Sequence, residues 1–270
     1  MSVVIVHSVT RVTPATEGRV VVTGSHGGLF PAAVALRCGA DAVLFNDASG
    51  GRDDAGVAGV GWLDRYGVAA AAVSHLSAPI GDGHATLETG VLSVVNRSAR
   101  DRGCRPGQTA RDAAAALVES VGRRPPGKPD DDAEQALEAR HAVRPGVVAL
   151  DSVSLVTADD RDMIVVTGSH GALLGGVPET AVKHDVRAAV YNDAGRGPDS
   201  RGTTRLPVLA ARGIPAVTVS ARSARIGDGR STYADGIVSV ANGPAREAGA
   251  TPGMSVSDFV DRIDRLRGRP

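Results

Sequence analysis

Short apolar runs alternate with longer segments of mixed polarity along the whole chain. The runs are rich in Val, Ala and Leu and are bounded by Gly, Asp or Asn, a pattern that predicts buried strands. The longer segments have apolar residues at helical spacing and end at glycine, which predicts helices. In the first half, strands are predicted at 4–12, 20–24, 41–47 and 68–74, helices at 31–39, 55–67 and 109–121, and a strand or helix start at 90–96.

The second half of the chain repeats the motifs of the first half in the same order. VVTGSHGG at positions 21–28 returns as VVTGSHGA at 165–172, with Gly24 and Gly168 lying 144 positions apart. FNDASG, IGDGHAT and GVLSVVN return as YNDAGR, IGDGRST and GIVSVAN, each 146 positions later. Several collinear motifs at a near-constant offset indicate an internal duplication.

This order of elements predicts an α/β fold of two tandem homologous units, each with a mainly parallel sheet covered by helices. The first repeat is placed at residues 1–121 and the second at residues 146–270. The Pro-rich, charged stretch 122–145 predicts a linker, with a short helix over 133–141. Homologous units commonly pack about a pseudo-twofold axis, so we expect that arrangement here, with the repeated loops at the junction.

Composition and charge narrow the classes of function. The chain carries 30 basic and 30 acidic side chains and only 3% aromatic residues, which disfavours a nucleic-acid binder. Cys38 and Cys104 do not recur in the second half, so no disulfide or metal framework is expected. Neither a signal peptide nor a membrane-spanning run is predicted. We therefore expect a cytoplasmic protein without nucleic-acid or membrane partners, with the residue usage of a high-GC bacterial genome.

The repeated TGSHG segment, at 23–27 and 167–171, is predicted to follow a strand and precede a helix, where ligands bind in open α/β sheets. Its histidines are candidate general bases or metal ligands and its serines candidate nucleophiles, whereas a glycine turn with a helix cap is the alternative. Neighbours on an extended chain point to opposite faces, so we expect no Ser–His dyad within one segment. The candidate catalytic residues are Ser25, His26, Ser169 and His170. The candidate substrate-binding glycines are Gly24, Gly27, Gly168 and Gly171.

The NDA segment follows the next predicted strand in each repeat. Its carboxylates, Asp47 and Asp193, are candidate catalytic groups that could activate water, bind a cation or orient the SHG histidines. The preceding Asn46 and Asn192 are candidate substrate ligands. The alternative is an Asx turn after the strand.

The IGDG loop contains an aspartate between two glycines in each repeat. Asp82 and Asp228 are candidate substrate ligands, whereas a bridge between backbone amides is the alternative. His75 and His84, which do not recur in the second repeat, are expected to have no special role.

The loop before IGDG carries two arginines in the second repeat only. Arg222 and Arg225 are suited to bidentate binding of a substrate carboxylate or phosphate. The alternative is that both are solvated charges at the surface. The chain has no His-x-x-x-His pair and no cysteine cluster, so neither a metal nor another cofactor is predicted.

The plan of repeated α/β units resembles that of ring-opening amidohydrolases of the cyanuric acid and barbiturate type. Those enzymes use serine–lysine dyads, for which this chain has only Lys128 and Lys183. The resemblance therefore concerns architecture alone, and it assigns no family.

His, Asp and Arg residues at strand ends favour an enzyme. We expect a hydrolase of an amide, cyclic amide or lactone acting on a small, polar, anionic substrate, with His/Asp acid–base catalysis at a site between the repeats. The SHG amides would stabilise an oxyanion. Three alternatives stay open: a lyase or isomerase acting on a carboxylate, a non-enzymatic regulatory binder of a small anion or nucleotide, and a scaffold whose motifs are turns. Assembly into a homo-oligomer is also left open.

Overall fold

The computed structural model describes residues 3–122, 127–137 and 140–267, and the chain divides into two compact units. Unit 1 consists of Met1–Gly50, Asp54–Glu138 and Gly197–Asp199, and unit 2 of Gly51–Asp53, Ala139–Arg196 and Ser200–Pro270. Each unit contains helices and one mixed, mostly parallel sheet. The α/β class predicted from the sequence is therefore confirmed.

Unit 1 is built on a sheet of five described strands. The strands are β1 (Val4–Val6), β2 (Val20–His26), β3 (Ala42–Asn46), β4 (Ala69–Val73) and β5 (Leu92–Val95). The helices are α1 (Leu29–Arg37), α2 (Ala58–Trp62), α3 (Gly83–Thr89), α4 (Arg97–Asp101), α5 (Ala110–Glu119) and α6 (Asp131–Gln135). The order is β1-β2-β3-β4-β5, and only β5 runs antiparallel to its neighbour, so β1 to β4 end at one edge.

Unit 2 is built on a sheet of six described strands. The strands are β6 (Arg140–Arg144), β7 (Val147–Leu150), β8 (Ile164–His170), β9 (Ala188–Asn192), β10 (Ala216–Val219) and β11 (Val238–Ala241). The helices are α7 (Arg205–Ala211), α8 (Gly229–Asp235), α9 (Gly243–Glu247) and α10 (Val256–Arg267). The order is β11-β10-β9-β8-β7-β6, with β6 and β11 antiparallel to their neighbours.

The apolar runs form strands that are covered on both faces. In β8, Ile164 and Val166 belong to one core cluster and Val165 to another. Successive side chains of a strand point to opposite faces, so a continuous apolar run packs into the hydrophobic cores on both faces of the sheet. In unit 1, Val22 of β2 belongs to the same core cluster as Leu117 of α5.

Several local predictions need correction. The first strand ends at Val6, and residues 9–11 form a 3-10 turn instead. The IGDG loops lead into helices α3 and α8, which the sequence analysis missed. The segment at 90–96, left as a strand or a helix start, is the strand β5.

The helix predicted over 133–141 in the linker is wrong at residues 140 and 141, and residues 138 and 139 lie outside the described part of the chain. The helix α6 begins at Asp131 and ends at Gln135, and the chain from Arg140 to Arg144 forms the strand β6. Pairing with β7 and packing of Val143 against the core of unit 2 favour the strand. Of the described helices, none combines the length and the apolar character that a membrane span requires.

The helix predicted after the second SHG segment is absent from the described residues of unit 2. Two 3-10 turns follow β8 instead, at Leu174–Gly176 and Pro178–Thr180, because two glycines and a proline interrupt the segment. The buried Arg205 donates hydrogen bonds to the carbonyl oxygens of Thr180 and Ala181 and so satisfies groups that a helix would have paired.

Candidate functional site

The repeated SHG segment ends β2 in unit 1 and β8 in unit 2, and it is buried in both. A Cβ added to Gly24 or Gly168 would lie 2.3 or 2.4 Å from the amide nitrogen of the IGDG aspartate. One added to Gly27 would lie 2.9 Å from a valine methyl group, and one added to Gly171 would lie 2.5 Å from a carbonyl oxygen. At these four positions, which were predicted to bind substrate, the lack of a side chain lets the protein's own chain pack closely.

The hydroxyl groups of Ser25 and Ser169 accept hydrogen bonds from the backbone. Ser25 Oγ lies 3.0 Å from the amide nitrogen of Val9, and Ser169 Oγ lies 2.8 Å from that of Val153. Within the described part of the chain, no histidine is hydrogen-bonded to either oxygen. A serine nucleophile needs a base on its oxygen, so this geometry favours a structural role for both serines.

Asn46 and Asn192 end β3 and β9 and are fully buried. Each Nδ2 donates to a carbonyl oxygen 32 residues later, and each Oδ1 accepts from the amide two residues later. The loop that this Asx turn begins has left-handed backbone, with φ of 47° at Ala48 and 64° at Ser49. Residues other than glycine adopt this conformation at a cost, and such strain concentrates at functional sites. The asparagines thus shape the loop that presents the next residue.

Asp47 follows β3 directly, and its carboxylate accepts hydrogen bonds from four groups. Its Oδ1 lies 2.9 Å from the amide nitrogen of Ser49, from the amide nitrogen of His75 and from Nδ1 of His75. Its Oδ2 lies 2.9 Å from the hydroxyl oxygen of Ser93. A carboxylate only accepts, so Nδ1 of His75 carries the proton of this hydrogen bond, and in the neutral ring the lone pair is on Nε2. No other described group is hydrogen-bonded to Nε2, and the His75 side chain is 18% exposed.

The corresponding carboxylate of unit 2 has different partners. Ala221 stands where unit 1 has His75, and its amide nitrogen lies 2.9 Å from Oδ1 of Asp193. The guanidinium Nε of Arg196 lies 3.8 Å from Oδ2. The loop keeps its backbone hydrogen bond with only a methyl side chain, so the bond does not require the imidazole of unit 1.

The sequence analysis proposed that Asp47 orients the SHG histidine, but among the described residues its hydrogen-bond partners are Ser49, His75 and Ser93. Asp47 does orient a histidine, but that histidine is His75, to which the sequence analysis gave no role. The available signal was the exchange of His75 for Ala221 at a strand end. Pairing across 28 residues depends on how the loop after β4 folds back, which local sequence patterns do not report.

His26 is 5% exposed, and its Nδ1 accepts a hydrogen bond from the amide of Gly28 at 3.1 Å. Burial lowers the pKa of His26 to about 4, so the ring is neutral near pH 7 with its proton on Nε2. His170 accepts from the amide of Ala172 at 3.3 Å in the same way. For His26 this geometry favours a hydrogen-bond donor over the general base that was predicted.

The IGDG aspartates cap helices, and one of them also pairs with Arg225. Asp82 and Asp228 accept hydrogen bonds from amides in the first turn of α3 and α8. Nε of Arg225 lies 3.3 Å from Asp228 Oδ2, and its Nη1 lies 3.1 Å from Oδ2 of Asp53, which belongs to the same unit. Arg222 is exposed. The guanidinium group of Arg225 is therefore already paired with carboxylates and is a poor candidate for a substrate clamp.

A smaller group of polar side chains lies at the end of β1. His7 Nδ1 lies 3.5 Å from Oδ1 of Asp82, and the rings of His7 and His84 are 5.5 Å apart. Among the described residues, no three His, Cys, Asp or Glu side chains gather where they could hold a metal ion.

Comparison with known proteins adds no assignment. The chain matches no protein-family model, no curated protein and no solved structure.

Proposed function

We propose that the chain is an enzyme in which His75 of unit 1 is the general base. Asp47 positions the imidazole ring and stabilises its protonated form. The reaction that we propose is hydrolysis of an amide, cyclic amide or lactone bond in a small, polar, anionic substrate. The observation that carries the proposal is the 2.9 Å contact between Asp47 Oδ1 and His75 Nδ1, which leaves Nε2 without a hydrogen-bond partner among the described residues.

The pair has the parts that base catalysis requires. Nε2 of His75 takes a proton from water as the oxygen attacks the carbonyl carbon, and it returns a proton to the leaving nitrogen or oxygen. The carboxylate of Asp47 stabilises the imidazolium that forms between these steps. Three hydrogen bonds besides the one from His75 Nδ1 hold Asp47 itself in place. A histidine whose orientation is fixed by a hydrogen-bonded carboxylate is a better general base than a histidine that moves freely at the surface.

The comparison of the two units supports the same reading. Unit 2 retains the loop, the carboxylate and the backbone hydrogen bond with Ala221 in place of the histidine. The loop of unit 2 thus forms without an imidazole at this position, so the imidazole of His75 is not needed for the loop to fold. A side chain that the fold does not need is expected where it acts on a ligand.

The test is turnover of a panel of small esters, lactones and cyclic amides by the full chain, followed by mass spectrometry. His75→Gln should lower turnover by about 10²–10⁴-fold, the usual contribution of a positioned base. His84→Gln, which replaces an exposed histidine of the same unit, should leave turnover unchanged.

Unchanged turnover in His75→Gln would overturn the proposal. A compound that raises the melting temperature without being consumed by the protein would instead favour the non-enzymatic binder. Nitrogen-15 NMR of the ring provides a readout without substrate, because the proposal requires the proton on Nδ1 of His75.

A further inference from the structure

The strand β1 lies at an edge of the unit 1 sheet and pairs only with β2. Along its other side, neither a strand nor a backbone hydrogen bond occurs within the described residues. A strand at the edge of a sheet presents N–H and C=O groups that have no partner strand. The side chains of β1, Val4 to Val6, are partly exposed. This edge of unit 1 is therefore open to a further strand.

The corresponding edge of unit 2 is covered by an antiparallel strand. Val4 of β1 lies opposite Val21 of β2, and Val148 of β7 lies opposite Val165 of β8, so the two parallel pairs have the same register. On the other side of β7, the strand β6 is paired antiparallel. All four residues of β7 are buried, whereas the three residues of β1 are only partly buried. The edge that β1 presents thus matches one that takes an antiparallel strand.

The other edge strands in the described part of the chain have features that discourage pairing with another chain, and β1 lacks them. The pairings of β5, β6 and β11 with their neighbours each contain a register shift, and β6 begins and ends with an arginine. Bulges and charged side chains are the usual protection of an exposed edge. The pairing of β1 with β2 has no register shift, and residues 3–6, Val-Val-Ile-Val, carry no charge. An uninterrupted apolar edge of this kind favours pairing with another strand.

We propose that β1 pairs antiparallel with β1 of a second copy of this chain, so that two unit 1 sheets form one continuous sheet. A twofold axis through Ile5 places Val4 opposite Val6 of the second copy, and such pairs of β-branched side chains stabilise antiparallel strands. A strand with charged residues at these positions would lose their hydration against Val4 and Val6, so a copy of the uncharged β1 is the better occupant. The interface goes beyond the proposed base chemistry, because it involves neither Asp47 nor His75.

The first measurement is sedimentation of the full chain at concentrations from about 1 to about 200 µM. We expect a monomer–dimer equilibrium in this range, because two short strands bury less than the roughly 800 Å² per partner of a standard interface. Hydrogen exchange locates the interface: the amides of Val4 to Val6 should exchange more slowly at the higher concentration, and those of β6 should not change. A monomer throughout the range overturns the proposal, as does a dimer in which exchange at β1 does not depend on concentration.

Val4→Lys is the variant that tests the edge, and Ala142→Lys is its matched control. Lysine on an edge strand disfavours pairing, so Val4→Lys should weaken the dimer by about tenfold or more. Ala142 is an exposed residue of β6, the edge strand of unit 2, where the same change should leave the dimer unchanged. Undiminished association of a folded Val4→Lys protein overturns the assignment. If that protein does not fold, hydrogen exchange of the wild type decides.

Discussion

Replacing Asp47 by Asn tests whether its carboxylate does more than hold the loop. An asparagine retains Oδ1, which accepts the amides of Ser49 and His75. Its Nδ2 can donate to the hydroxyl oxygen of Ser93, whose own proton can then go to the carbonyl oxygen of Ala72 at 3.2 Å. The hydrogen-bond network is therefore preserved while the negative charge is removed.

The structure sets the expected magnitudes. Hydrogen bonds to a charged group are worth roughly twice those between neutral groups, so losing the charge should lower the free energy of unfolding by about 1–2 kcal/mol. Turnover should fall far more, by about 10²–10⁴-fold, because the imidazolium of His75 loses its counter-charge.

Asp193→Asn is the matched control. Asp193 accepts hydrogen bonds from the amides of Ala221 and Gly195, and no histidine of the described chain is bonded to it. Its ion pair with the half-exposed Arg196 is worth at most about 1 kcal/mol. Urea unfolding and turnover of both variants are the assays. Equal loss of turnover in the two variants, or full turnover in Asp47→Asn, would refute the reasoning.

Two further predictions concern stability. Arg205→Leu should lower the free energy of unfolding by about 1–3 kcal/mol, because it leaves the carbonyl oxygen of Thr180 without its donor, whereas that of Ala181 keeps the hydroxyl of Tyr191; no measurable loss in urea unfolding would contradict this. For His26, burial lowers the pKa from 6.5 to about 4, so the unfolded chain binds the proton first as the pH falls. The contribution of His26 to the free energy of unfolding is fully present above pH 6.5. It falls by about 3 kcal/mol as the pH is lowered to about 4. Urea unfolding across that range should show this loss in the wild type and not in His26→Gln, and parallel pH profiles would contradict it.

The sequence by itself was sufficient for the fold class and for the position of the strand-end loops. A strand is recognised from the apolar character of adjacent residues, and its end from the Gly, Asn or Asp that follows, so β2, β3 and β4 were predicted close to where they lie. The repeated Asn–Asp pair was likewise located correctly at the end of β3, since an Asx turn depends on residues only two positions apart.

The partners of those loops were decided only by the tertiary structure. His75 reaches Asp47 across 28 residues because neighbouring parallel strands end at the same edge of the sheet. The amides of Leu173 and Leu174 donate to Thr204 and Thr180, whereas those of Leu29 and Phe30 have no hydrogen-bond partner among the described residues, although the SHG segments are nearly identical. Hydrogen-bond partners depend on which loops lie side by side in space, and spacing along the chain carries no direct record of that.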